Sequence, residues 1–142
     1  MIKIKFERIA DIYRCALRGD WSEMEPIVAN DPDSVLIRLT DSGDTALHVA
    51  AAAGNTNFVE ELTKLMKTED QLIPNFQGML PIHLAALSRH HRIVKHFCYE
   101  RSPFDRTVKY SYALLDVMDY KDSEKLFFMT IDNDMFGKCI YN

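Results

Sequence analysis

An all-α solenoid of about three and a half helix-turn-helix repeats is the fold this sequence predicts, and three observations predict it. A phrase running Gly43-Asp44-Thr45-Ala46-Leu47-His48-Val49-Ala50-Ala51-Ala52-Ala53-Gly54 returns, altered, as Gly78-Met79-Leu80-Pro81-Ile82-His83-Leu84-Ala85-Ala86-Leu87-Ser88-Arg89. The offset is 35 residues throughout, and Gly19 stands the same 35 residues before Gly54. A constant period of this size marks a protein built from stacked supersecondary units. Within each copy, apolar residues fall at helical spacing: Leu47, Ala50 and Ala51 share one side, and the alanines let a neighbouring helix approach closely.

The local signals agree. Thr45 is placed to cap a helix, and Pro81 sits at a first helical position, where its missing N–H costs nothing. Gly54 ends the short helix where a left-handed residue is needed. The phrase resembles the Thr-Pro-Leu-His…Ala-Ala…Gly signature of ankyrin repeats. That resemblance implies a β-turn finger followed by two antiparallel helices in each unit. It also implies that His48 and His83 bond backbone and hold the finger, without chemistry of their own.

Taken in order, Ile9–Arg18 has a helical pattern at Ile9, Ile12, Tyr13, Ala16 and Leu17. It matches the later copies without their finger, as terminal repeats are often atypical. Trp21–Ala29 reads as its outer helix, with Trp21, Met24, Ile27 and Val28 on one face and Pro26 in or near the first turn. Asn30-Asp31-Pro32-Asp33 is a turn cluster, leading to a finger around Asp41-Ser42-Gly43. The second outer helix spans Asn57–Lys67, with a stripe of Phe58, Val59, Leu62, Leu65 and Met66. Asn75-Phe76-Gln77-Gly78 is the next finger tip, followed by helices over Ile82–Leu87 and Ile93–Phe97. Arg89 replaces the glycine of the earlier turn, so a reshaped loop is expected at Arg89-His90-His91. Tyr112–Met118 is a short helix candidate. Ser123 is read as the N-cap of a fourth inner helix through Leu126–Ile131, a run whose Phe127, Phe128 and Ile131 also suit a strand. Met135–Tyr141 then begins an outer helix. The whole is expected to be one domain, 1–142, with repeats near 9–39, 40–74 and 75–109 and a partial one over 110–142.

Composition bounds the function. Hydrophobic residues are 47% and charged residues 27% of 142, a soluble globular balance. Cys15, Cys98 and Cys139 show no paired spacing and read as reduced intracellular thiols. No apolar run reaches the roughly 18 residues of a membrane helix, so no direct membrane insertion and a cytoplasmic location are expected. The net charge of −4 disfavours nucleic acid. Nine acids against Arg38 lie between Asp20 and Glu61, and six bases against two acids between Arg89 and Lys109, a polarised rod whose ends would prefer different partners.

Three longer stretches, Ala16-Leu17-Arg18-Gly19-Asp20-Trp21, Gly43–Ala51 and Phe58-Val59-Glu60-Glu61-Leu62, resemble a narrower group. They are similar to the plant ankyrin-repeat proteins whose long members end in a membrane domain with a Pro-Gly-Gly motif. The likeness covers about residues 10–100 and implies stress or immune signalling at membranes. By the same resemblance, partners would be met through finger tips and the concave face of the inner helices. The positions are Asp41, Ser42, Asp44, Ala52 and Ala53 in one repeat, and Phe76, Gln77, Met79, Leu87 and Ser88 in the next. The change from acidic to apolar suggests a partner with a basic end and an apolar end.

The expected function is therefore a protein-interaction scaffold without catalysis, cofactor or metal. Two alternatives stand beside it. His83, His90, His91, His96 and Cys98 are a dense set of metal-capable groups that a zinc- or thiol-dependent enzyme could use, although their spacing fits no closed ligand pattern. The chain could instead be a regulatory domain that binds its own missing membrane region or another copy. The apolar residues over 123–142 exceed what half a repeat can bury, so a homodimer through that segment is expected.

Overall fold

Among the described residues the 35-residue period becomes three helix pairs and one further helix. The computed structural model describes residues 2–98 and 118–132, with side chains described over 5–98 and 118–130. Helices α1 (Ile2–Arg18), α3 (Ala46–Ala53) and α5 (Pro81–Leu87) form the inner row. Helices α2 (Trp21–Asn30), α4 (Thr56–Lys64) and α6 (His91–Cys98) form the outer row. A last helix, α7 (Tyr120–Asp132), packs on α5. Short 3-10 turns at Pro32–Leu36 and Glu69–Leu72 lead from each outer helix to the next finger. There is no strand among the described residues, so Leu126–Thr130 is helical.

Packing follows the periodic pattern. α3 lies between α1 and α5 and is buried on both sides, so Ala46, Leu47, Ala50 and Ala51 are fully buried. The alanines permit this close approach on both flanks, as their spacing predicts. Between outer helices, the Trp21 ring meets Phe58 edge-on at 5.5 Å. Phe58, Val59 and Leu62 are fully buried, each removing most of its apolar surface from water.

Several boundaries differ from the sequence reading, each for a local reason. α1 begins at Ile2 rather than Ile9, so a continuous helix occupies the place where later repeats have a finger. Pro26 is the sixth residue of α2, beyond its first turn, on an exposed side. α4 ends at Lys64, short of Lys67, and this turns Leu65 outward to 58% exposure while Met66 stays buried. α7 starts before Ser123: the carboxylate of Asp119 accepts from Lys121 N at 3.0 Å and its carbonyl from Ser123 N at 2.9 Å. Asp119, not Ser123, therefore caps this helix. The helix expected over Tyr112–Met118 lies outside the described residues except for Met118, and that over Met135–Tyr141 lies wholly outside them.

The turn at Arg89 is not reshaped. Gly54 has φ +79° and Arg89 takes φ 63°, and the amides that follow make matching bonds: Asn55 N to Ala50 O at 3.0 Å, His90 N to Ala85 O at 2.9 Å. Arginine thus occupies a left-handed position at a cost of about 1–2 kcal/mol relative to glycine geometry. The stacking overrides it, because the residue after the turn spans to the preceding repeat. Asn55 Nδ2 donates to Ala16 O at 2.7 Å and to Leu17 O at 3.0 Å. His90, one period later, donates from Nε2 to Ala52 O at 3.0 Å. Gly54 must be glycine for this too, since a Cβ there would meet the His90 ring at 2.5 Å.

Candidate protein interface

The fingers are ordered by backbone and by two histidines. In the first finger Gly43 N donates to Thr40 O at 2.9 Å, and in the second Gly78 N donates to Asn75 O at 3.0 Å. Phe76 N donates to Ser42 O at 2.8 Å, joining one finger to the next. His48 is fully buried, its Nδ1 accepts from Thr45 N at 3.2 Å, and its Nε2 donates to Met79 O at 2.9 Å. His83 repeats the arrangement: Nδ1 accepts from Leu80 N at 3.0 Å, and Nε2 donates to Asp122 O at 2.9 Å. Each ring is thereby held as the neutral Nε2–H tautomer, tying a helix N-terminus to the following unit. Burial pushes both histidines below their ordinary value, although the carbonyls of Met79 and Asp122 oppose the shift.

Arg38 staples the two fingers. Its Nη1 donates to Gly43 O at 2.8 Å and to Pro74 O at 2.7 Å, and its guanidinium lies 5.0 Å from the Phe76 ring centre. Phe76 is 70% exposed and lies over Gly43, whose Cβ, if present, would be 2.8 Å from the ring. Asp44 accepts from the Thr40 hydroxyl at 3.0 Å and from Asn75 Nδ2 at 2.9 Å. Both donors are neutral groups, and together they fix the orientation of the Asp44 carboxylate at the groove.

On the inner-helix face a shallow groove of about 270 Å³ is lined by Tyr13, Leu17, Thr40, Asp44, His48, Val49, Ala52, Ala53 and Leu84. It unites Asp44, Ala52 and Ala53 of the predicted positions. Asp41 lies exposed on the finger turn beside it, with Ser42 half-buried. In the next repeat Gln77 and Ser88 are exposed, Met79 is half-buried, and Leu87 is 56% exposed. Tyr13, Leu17, Thr40, Val49 and Leu84 were missed. A signal existed: Leu17, Ala52 and Leu87 are one position at the 35-residue period, and Leu17 is 48% exposed. The first repeat lacks the motif phrase, and so its surface positions were not carried across.

The sequence cluster of histidines is dispersed in space. His83 is buried against Asp122 O, His90 bonds Ala52 O, and His96 Nε2 pairs with the Thr63 hydroxyl at 2.8 Å. Among the described residues no three His, Cys, Asp or Glu groups converge as a metal site. Cys15 and Cys98 are buried, and burial, reinforced by Glu23, Asp20 and Asp11, pushes the Cys15 thiol up, away from the thiolate a nucleophile needs. The acidic stretch is likewise divided: Asp41 is on a finger, Glu60 and Glu61 are on α4, and Glu23 is on α2. Of the basic stretch, residues 99–109 lie outside the described residues.

The ankyrin-repeat family model, in three copies, matches residues 13–107. The chain is an ankyrin-repeat protein. Its motif histidines, fingers and helix pairs are those of an all-α ankyrin solenoid. A plant relative, "Ankyrin repeat-containing protein ITN1" of Arabidopsis thaliana, is 36% identical over 73 residues. That match covers 51% of this chain and 12% of the relative, so the chain spans a small part of that protein's length. Among solved structures, a chain in the crystal structure of the yeast ribosomal protein Rps3 in complex with its chaperone Yar1 is similar at TM-score 0.60 and 25% identity. The match covers 90% of this chain and 94% of that one. No helix among the described residues is long and apolar enough to cross a membrane.

Proposed function

We propose that this ankyrin-repeat chain is a protein-binding scaffold that receives its partner in the concave groove and on the adjoining finger tips. The observation that carries the reading is the apolar row at Leu17, half-buried Ala52 and Leu87, its two leucines exposed, held on the inner helices beside a fixed carboxylate. Such a surface offers shape and burial, and the chemistry-bearing side chains around it are engaged in holding backbone. The similar structure, a complex of a ribosomal protein with its chaperone, supports a protein partner. By likeness to the plant family we place the activity in stress or immune signalling in the cytoplasm. We take the repeats as units of about 9–39, 40–74 and 75–109, with an atypical 110–142.

The test is capture from a cell extract of the source tissue, followed by mass spectrometry. Leu17→Glu and Leu87→Glu should remove the specifically bound proteins, losing at least about tenfold in recovery, because a charge is placed where apolar surface must be buried. Leu65→Glu, equally exposed but outside the groove, should leave them bound. Loss with Leu65→Glu and retention with both Leu17→Glu and Leu87→Glu overturns the proposal.

A second reading concerns the C-terminal end. Phe127 and Phe128, with ring centres 5.7 Å apart, are 42% and 55% exposed on α7. We propose that this edge, within 123–142, pairs two copies about a two-fold axis. Light scattering at micromolar concentration should give a dimer mass for the unaltered chain and a monomer mass for Phe128→Glu. Monomers in both cases end the idea.

A further inference from the structure

The groove has a form and a charge that select among partners, and this inference rests on the scaffold reading above. Its floor is side chains: Leu17, Val49, Ala52 and Leu84 from three consecutive inner helices. No strand, and so no open sheet edge, exists among the described residues. An extended peptide laid here would meet mostly apolar side chains, and Thr40, Asp44 and His48 of the lining are already bonded within the protein, so its own N–H and C=O groups would find few partners. A helix arrives with its backbone bonds already made. The dimensions agree, because an inner helix of 8 residues is about 12 Å long, close to the diameter of a helix with its side chains. The smallest side chains of the lining are Ala52 and Ala53, on the helix between those that carry Leu17 and Leu84. One large apolar side chain of the partner would seat there.

Charge distinguishes the two flanks of such a helix. The finger edge of the groove carries Asp44, whose orientation is fixed by Thr40 and Asn75, and exposed Asp41 beside it. Arg38, the nearest cation of this finger, is turned to Gly43 O, Pro74 O and the Phe76 face.

We infer that the partner presents an amphipathic α-helix. A large apolar residue sits over Ala52 and Ala53, and lysine or arginine along one flank faces Asp41 and Asp44. This is helix-in-groove recognition with the basic flank setting direction and on-rate.

The test uses a phage library of random 20-residue peptides selected on the immobilised full chain. Enriched clones should share apolar residues at i, i+3 or i+4, and i+7, with basic residues on one side. As synthetic peptides they should gain helical circular dichroism on binding. Ala53→Trp, which fills the seat from an exposed position, should weaken them at least about tenfold. Asp41→Lys should weaken them about threefold to tenfold at low salt and flatten the salt dependence. Clones that bind without gaining helix, that carry no basic flank, or that ignore Ala53→Trp overturn the inference. So does a selection yielding no Ala53→Trp-sensitive clone. The scaffold reading fails separately: extract partners that depend on Leu17 and Leu87 can persist while helical peptides do not bind.

Discussion

Leu47→Ala and Ile82→Ala should each destabilise the chain by roughly 2–5 kcal/mol in urea unfolding followed by circular dichroism. These are the same position one period apart, and both are at or below 1% exposure. Leu47 stands in α3, which packs against α1 on one side and α5 on the other. Its truncation therefore opens a cavity that two interfaces share, and little backbone can collapse to fill it. Ile82 stands in α5, which packs against α3 on one side and α7 on the other. In a short array each unit is stabilised only by its neighbours, and a total stability of about 5–15 kcal/mol leaves little margin. The Leu47 variant should accordingly lose the whole transition near room temperature or come close to it. Leu87→Ala, on the open face, should stay within about 0.5 kcal/mol. Losses below that size at both Leu47 and Ile82 would mean that the register of the repeats is wrong.

Acid should unfold this protein earlier than its carboxylates alone require. His48 and His83 are buried and held neutral, with burial the leading cause of their lowered affinity for protons. In the unfolded chain both titrate near the ordinary value of 6.5. Above that pH neither state carries the extra proton, and stability does not depend on these groups. As pH falls through 6.5 the unfolded chain takes up protons that the folded chain refuses, so stability drops. Each histidine contributes a slope of at most about 1.4 kcal/mol per pH unit, and the two together about 2.7. Protonation would also turn each Nδ1 from acceptor to donor, facing the amides of Thr45 and Leu80. Urea midpoints measured from pH 7.5 to 5.5 should fall steadily for the unaltered chain. In the double variant His48→Gln, His83→Gln the slope over that range should be nearly flat, whatever its absolute stability. An unchanged slope in the variant would remove both histidines as the cause.

The acid response and the groove share an origin. The rings that seat each finger on the next unit also hold the finger edge of the groove in place, with His48 itself in the lining. Protonation, which turns Nδ1 from acceptor to donor against the Thr45 amide, loosens the surface that carries Asp41 and Asp44. The fold and the binding face are thus one network of contacts between units about one period apart.

What the sequence by itself determined is whatever repeats. The 35-residue offset, the Ala-Leu-His and Pro-Ile-His phrases and the glycines at 19, 54 and 78 specified helix pairs, fingers, inner and outer rows and the buried positions Leu47, Ile82, Ala50 and Ala85. These follow from helical periodicity and turn chemistry, which are local. Ala52 and Ala53 of the groove were legible through the resemblance to ankyrin repeats, which maps partner-facing positions onto them.

Tertiary structure alone decided what crosses between units or departs from the period. His48 reaches a carbonyl 31 residues on, but His83 reaches one 39 residues on, so the last helix enters eight residues late in the repeat count. No local pattern marks where a chain with that insertion rejoins the stack; the need of the His83 Nε2–H for an acceptor, which Asp122 O meets, and the apolar flank of α5 do. Leu17 and Tyr13 of α1 and Leu84 of α5 belong to the groove because inner helices of three different repeats meet there. Arg89 accepts a left-handed backbone because His90 is held to Ala52 across the interface. In each case the energy of contacts between repeats exceeds the local preference of about 1–2 kcal/mol that sequence reasoning relies on.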